Sequence, residues 1–216
     1  NYRLPKAIAA ILVGMGLSIS GLLMQTLFRN PLAGPYVLGL SSGATLGVAI
    51  VILGAALLQP FLATFLVSYV GIVLASSLGS FAVLLAVLAV SHRLRDTMAI
   101  LIVGLMFGSL TSAIVGTLTY FSTAEQLQKF TFWSLGNLGN LSWTAIALLS
   151  SCVVIGLLFS LFSIKPLNAL LLGENYAKSL GLNYKKSRII IILATSILAG
   201  SITAFAGPIA FIGLAV

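Results

Sequence analysis

The side chains of this chain that could carry acid–base, nucleophilic or metal chemistry are few and scattered. His92 and Cys152 each occur once, and the carboxylates are Asp96, Glu125 and Glu174. General acid–base catalysis needs a titratable group within hydrogen-bond reach of the reacting atom and a partner that orients it. Here the candidates stand in separate breaks and runs, and no acid, base or ligand cluster can be assembled from their spacing. His92, in the charged break Ser91–Thr97, reads as an interfacial, solvated residue rather than a ligand. Cys152 is alone, so it has no disulfide or cysteine-cluster partner and reads as a small packing residue. No Gly-x-x-x-x-Gly-Lys-Ser/Thr loop is present to cradle ATP phosphates. These absences argue against a redox or hydrolytic enzyme.

The elements that carry these residues are apolar. Of 216 residues, 60% are hydrophobic and 6% charged, with a mean hydropathy of +1.18. A soluble domain commonly charges about a quarter of its residues. No Lys, Arg, Asp or Glu occurs between Arg29 and Arg93, between Asp96 and Glu125, between Lys129 and Lys165, or after Arg188. Six runs approach or exceed the roughly 20 apolar residues that cross a hydrocarbon core: Leu4–Phe28, Tyr36–Leu58, Phe61–Val90, Met98–Phe121, Ser142–Ile164 and Ile189–Phe205. They are continuously apolar, whereas barrel strands are about 10 residues long and alternate. One such run could be a core helix of a soluble protein; six in succession predict an all-α, polytopic transmembrane helical bundle.

The net charge of +8 does not point to nucleic acid, because the basic residues are dispersed over the breaks and form no stripe. Assigning the breaks alternately to two sides puts eight cations on one: Arg29, Arg93, Arg95, Lys165, Lys178, Lys185, Lys186 and Arg188. The other has three: Arg3, Lys6 and Lys129. By the positive-inside rule the first side is expected to be cytoplasmic. The chain then enters from outside at Arg3, and the last full helix emerges outside near Ala206. The first residue is Asn1, no signal-peptide pattern is present, and Phe211–Val216 stop inside an apolar run. Residues 1–216 are therefore expected to be a single transmembrane domain truncated at both ends.

Each break has its own character. Arg3-Leu4-Pro5-Lys6 opens the first helix, with proline where its missing N–H costs nothing. Two cations there oppose the helix macrodipole; they either snorkel to the interface or form a docking pair for an acidic partner. Gly14, Gly16, Ser18, Ser20 and Gly21 let a neighbouring backbone approach closely. Gln25 is placed to bond across helices or line a path. Arg29-Asn30-Pro31-Leu32-Ala33-Gly34-Pro35 forbids a continuous helix, and Leu38–Ala44 is a small-residue start to the second span. Asp96 is expected to cap the helix that Thr97 starts. Ser122–Leu141, with Glu125, Lys129, Trp133, Asn137 and Asn140, predicts a short helix near the outer surface; direct contact with substrate is a second reading. Trp133 and Trp143 fit an interfacial belt.

Lys165–Arg188 is the longest break on the eight-cation side. Leu172, Tyr176, Ala177 and Leu180 recur at helical spacing and give one apolar face, with Gly181 placed to end the helix. Such a helix lies either on lipid or in a groove of a soluble partner. Lys185, Lys186 and Arg188 are expected to anchor the following helix at anionic headgroups.

In these segments the chain resembles the FecCD/BtuC-type permeases of bacterial ABC importers for iron–siderophore, haem and cobalamin uptake. The matching strings are Arg3–Lys6, Gly14–Gly21, Phe28–Pro35, Leu38–Ala44, Phe132–Gly136, Leu172–Gly181 and Gly207–Leu214, in family order. Members have about ten helices, so the resemblance implies helices two to seven and the start of the eighth, six to seven in all. It implies a homodimer or a pair with a paralogous permease, an ATP-binding cassette ATPase subunit, an extracytoplasmic substrate-binding protein, and no cofactor or metal site. It makes Leu172, Gly173, Glu174, Tyr176, Ala177, Lys178, Leu180 and Gly181 the coupling helix that docks on the ATPase. It makes Arg3 and Lys6 the binding-protein docking pair, with Lys6 in place of the usual Arg and so without bidentate geometry. Asn30, Leu32 and Thr97 match cytoplasmic gates, although Asp96 and Met98 flank Thr97 where small hydroxyl residues are expected.

Past Lys6 the apolar runs hold no Asp, Glu, Lys, Arg or His. Ion-coupled carriers keep ionisable groups at membrane depth, so a secondary carrier is the weaker reading, together with a structural membrane subunit. Energy is expected from a partner. Iron chelate is the first expectation for the cargo.

Overall fold

The computed structural model describes residues 3–54, 67–93, 97–139 and 141–215, and among them the only regular structure is helix. The expectations for Arg95, Asp96, Asn140, residues 55–58 and the start of the third run at Phe61 lie outside the described residues. So do those for the side chains of His92, Thr97 and Glu174. The helices are α1 (Arg3–Phe28), α2 (Leu40–Leu53), α3 (Tyr69–Arg93), α4 (Thr97–Tyr120), α5 (Ala124–Ser134), α6 (Trp143–Leu171), α7 (Glu174–Ser179), α8 (Tyr184–Ala206) and α9 (Ile212–Ala215). Five are long and apolar enough to cross a membrane: α1, α3, α4, α6 and α8. The chain is an all-α, multi-pass membrane protein.

Helix α8 is the hub, with α1, α6 and α3 packed around it. Its Leu198 touches Gly156 of α6 and its Ile202 touches Gly16 of α1. Small residues set these approaches, because lipid offers no hydrophobic drive between helices and close van der Waals packing must replace it. The tightest seam joins α2 to α3, where Gly43 lies on the Gly79 backbone and Gly47 on that of Ala75.

Two interruptions hold detail beyond the sequence reading. The second span was expected to start within Leu38–Ala44, and its described helix does so, at Leu40. Before it, Pro35–Leu38 form a 3-10 turn that ends at Gly39, φ 75°. A methyl group on Gly39 would stand 3.0 Å from the Gly104 carbonyl, in the third turn of α4. The segment after Arg29 has therefore climbed back into the bundle before α2 starts. The 14 residues of α2 rise about 21 Å, short of the roughly 30 Å hydrocarbon core. The second interruption is at 207–211, after α8, with Gly207 at φ 78° and Phe211 at φ 71°. It carries α9 back against the middle of α1, where Gly213 meets Leu17 and Gly21.

Both interruptions carry the string Ala-Gly-Pro, at 33–35 and 206–208, and they pack on each other. The Tyr36 hydroxyl donates to the Ile209 carbonyl at 2.7 Å. A methyl group on Gly34 would stand 3.3 Å from the Leu214 side chain. Irregular backbone survives at membrane depth only when protein or cavity water satisfies it, and here the first break supplies a hydroxyl donor for a carbonyl of the second.

A difference lies in α6. The sixth break was expected from Lys165, but the helix runs through Pro166 to Leu171. Pro166 cannot donate to the Phe162 carbonyl, so it marks a weak joint rather than an end.

The α2–α3 seam is testable. Gly79→Leu is expected to lower the thermal unfolding stability of the detergent-solubilised protein by about 3 kcal/mol through overpacking. Gly14→Ala, whose methyl group would meet nothing within 4 Å, should stay within about 0.5 kcal/mol.

Candidate functional site

The antiparallel packing of α1 on α8, and of α8 on α6, sorts the charges by end. The C-terminal ends of α1 and α6, all of α7 and the first turn of α8 share one end. The first turn of α1, α5 and the C-terminal end of α8 share the other. This is the partition into Arg29, Lys165, Lys178, Lys185, Lys186 and Arg188 against Arg3, Lys6 and Lys129.

At the first end, α1 closes in a way that glycine usually serves. The N–H of Asn30 donates to the Gln25 carbonyl at 3.1 Å and that of Arg29 to Thr26 at 3.3 Å. This is the paired bonding of a helix end whose turning residue is left-handed. That residue is Arg29, at φ 49°. Its side chain crosses to α6. Nε and Nη2 donate to the Leu170 carbonyl at 3.2 and 2.9 Å, and Nη2 also donates to Leu171 at 3.2 Å. A cation thus caps the orphan carbonyls and negative dipole end of α6. The guanidinium lies 3.4 Å from where a methyl group on Gly173 would stand, and Gly173 has φ 121°. Glycine is needed at 173 for that backbone conformation.

Asn30 and Leu32 follow on the same loop. The Asn30 side chain accepts from the Leu32 N–H at 2.9 Å, a local turn that stiffens the loop. Leu32 is 77% exposed. Gln25, Thr26, Arg29, Asn30 and Leu171 line a cleft of about 480 Å³ beside it. Gln25 bonds across helices, its amide donating to the Gly213 carbonyl at 3.3 Å. Thr97 opens α4.

Helix α7 forms where Leu172–Gly181 predicted it, but its apolar face is divided. Ala177 is fully buried against the rest of the chain. Leu172, Tyr176 and Leu180 are exposed at 67, 48 and 62%. Gly181, at φ 80°, turns the chain out of the helix. Lys178 stands 5.5 Å from the centre of the Tyr184 ring, and Arg188 lies 5.7 Å from the same ring. This arrangement ties α7 to α8.

Arg188 corrects the sequence reading. It was expected at lipid headgroups with Lys185 and Lys186, yet it is 2% exposed while those two lysines are exposed. Helical spacing accounts for the difference: Tyr184 and Arg188 fall on one face and turn inward together. That spacing, an aromatic residue four before an arginine, is the signal the sequence held. For Arg29 the signal was a cation where a helix-ending glycine belongs.

At the other end, Arg3 and Lys6 are exposed in the first turn of α1, with no acidic residue in that turn. Helix α5 is capped by reciprocal bonds between Thr123 and Gln126. Lys129 bonds Glu125 at 2.8 Å and holds its carboxyl below the usual range, a solvent-exposed pair of little energetic weight. Phe130 and Trp133 stack on each other, with Phe130 buried in the α2 cluster. Between α3, α6 and α8 lies a cleft of about 230 Å³ lined by Ser77, Ser80, Ser196, Ser201 and Cys152. Cys152 therefore borders open space rather than filling the core. The hydroxyls of Ser77, Ser80 and Ser201 are engaged by backbone carbonyls.

A model of the FecCD transport family matches residues 1–216. The chain is 37% identical over 217 residues to the hemin transport system permease protein HmuU of Yersinia pestis, covering 100% of this chain and 64% of that protein. It is 35% identical over 217 residues to the vitamin B12 import system permease protein BtuC of Salmonella typhi, again with 100% and 64% covered. A solved structure superposes with a TM-score of 0.85 at 31% identity, over 98% of this chain and 65% of that one. It is described as an inward-facing conformation of a transporter provisionally assigned to the metal-chelate ABC type. The chain thus spans just under two thirds of the length of these relatives.

The inward position of Arg188 has a measurable consequence. Arg188→Ala should lower thermal stability in detergent by about 2 kcal/mol, through lost packing and the lost ring contact. Lys185→Ala and Lys186→Ala should each change it by less than about 0.5 kcal/mol.

Proposed function

The chain belongs to the FecCD transport family, and on that footing we propose that it is the membrane-spanning permease of a binding-protein-dependent ABC importer. The observation that carries this reading is α7. A short helix stands outside the spans with Leu172, Tyr176 and Leu180 bare. It is fixed to the bundle through Ala177, Gly173 and Tyr184. A lipid-lying helix needs no such fixing, whereas one that transmits force from a soluble partner does. The sequence supplies the second half of the argument: the central turns of the spans hold no ionisable group that could couple an ion gradient. ATP hydrolysis belongs to a separate ATP-binding cassette subunit docked on Leu172–Gly181. The α7 end is then cytoplasmic, in keeping with its greater share of cations.

The remaining roles follow the same reading. Arg3 and Lys6 face acidic side chains of an extracytoplasmic binding protein. Asn30 and Leu32 on the climbing loop, with Thr97 at the start of α4, form the cytoplasmic gate. A second copy, or a paralogous permease, covers the bare face of α4, where Ile102, Leu105 and Met106 are more than half exposed. Residues 1–216 form one permease domain. The cargo is a compact chelate: an iron–siderophore complex as first choice, with haem or cobalamin as the alternatives that the names of the relatives favour.

Reconstitution of the full-length protein in proteoliposomes tests the reading. Uptake of a ferric siderophore that requires both ATPase and binding protein is expected; uptake driven by a proton or sodium gradient alone would make the protein a secondary carrier instead. Leu180→Glu should abolish co-purification of the ATPase while leaving the permease folded. Arg3→Glu combined with Lys6→Glu should weaken binding-protein affinity on the order of tenfold at low salt, and much less at high salt.

A further inference from the structure

Arg29 occupies a backbone conformation that an arginine enters at a cost of about 1–2 kcal/mol. Glycine would adopt the same turn without that cost. Strain of this kind persists where the surroundings over-determine it. Here the surroundings are three hydrogen bonds to the last turn of α6.

We infer that Arg29 is the residue through which movement of the α6–α7 corner reaches the gate loop. This rests on the importer reading above, because it takes α7 as the coupling helix and Asn30–Leu32 as a gate. The geometry runs in one line. The exposed face of α7 receives the push. Gly173 joins α7 to the end of α6, and the guanidinium of Arg29 lies against that glycine while holding the carbonyls of Leu170 and Leu171 just before the joint. Arg29 is covalently followed by Asn30, whose side chain fixes Leu32 at 2.9 Å. The corner is able to move as a block. Pro166 leaves one missing hydrogen bond in α6 just before it, and the Lys178–Tyr184–Arg188 contacts hold α7 to α8 on its far side. Arg29 acts as a positioning residue; it touches neither cargo nor nucleotide.

The informative variant is Arg29→Gly, which keeps the left-handed turn, relieves its strain and removes only the grip. In the intact transporter, reconstituted with its ATPase and binding protein, it should assemble and hydrolyse ATP. Cargo imported per ATP consumed should fall on the order of tenfold, the size expected for loss of charge-assisted bonds. Arg29→Lys, with charge but no fork, should fall between. The second measurement is maleimide labelling of Leu32→Cys in a Cys152→Ser background. Its rate should change with nucleotide in the Arg29 parent and become insensitive to nucleotide in Arg29→Gly. The link is overturned if Arg29→Gly keeps the parental import-to-ATP ratio and nucleotide-sensitive labelling. It is also overturned if import and hydrolysis fall together because the complex no longer assembles, while Arg29→Lys assembles with an unchanged ratio; Arg29 is then a cap only. A parent that imports without the ATPase instead removes the importer reading itself, and the link with it.

Discussion

Main-chain hydrogen bonding in a medium without water is the constraint on which this structure depends. In lipid an unsatisfied peptide group costs several kcal/mol, so a chain that breaks its helices at membrane depth must provide partners for the break. This chain does so twice, at 29–39 and 207–211. The two breaks are brought together by the antiparallel packing of α1 on α8. Tyr36 donates to Ile209, and Gly213 lies against Gly21 and Pro35. The glycines that line these approaches are sites where backbone must touch backbone. The hub position of α8 follows, because it adjoins both interruptions.

The same constraint explains the strained end of α1. The last carbonyls of α6 need a donor, and no helix continues there to provide one. Arg29 supplies it, at the cost of a left-handed arginine. That choice joins two parts of the chain far apart in sequence. A bundle held together only by apolar packing would let the gate loop and the α6–α7 corner drift independently; a charge-assisted bond to main-chain carbonyls does not.

Much of this was legible in the residues. The apolar runs gave five of the spans: α1 and α4 match their runs within a residue at each end, α8 starts five residues before its run, and α6 runs on past Lys165 to Leu171. The reading placed that last boundary at a charge, but a cation near a helix C-terminus is compatible with continued helix. The Arg29–Pro35 break and the α7 helix were legible from proline, glycine and period-3.6 spacing. What the spacing could not reveal was depth. Nothing in Leu38–Ala44 says that the chain has already climbed to the third turn of α4 before helix resumes. Nor does a basic residue near a helix start declare whether it faces lipid or, as Arg188 does, a tyrosine ring inside the protein.

The sequence by itself determined that the chain crosses a membrane, which charges share a side, and where the helices must break. These follow from hydropathy, from charge cost and from proline and glycine stereochemistry, all of which act within a few residues. Tertiary structure alone decided that the two Ala-Gly-Pro breaks meet, that Ala177 faces inward while Tyr176 and Leu180 face out, and that Arg29 grips α6. Each of these is a contact between segments distant in sequence, and its energy exists only once the helices have packed.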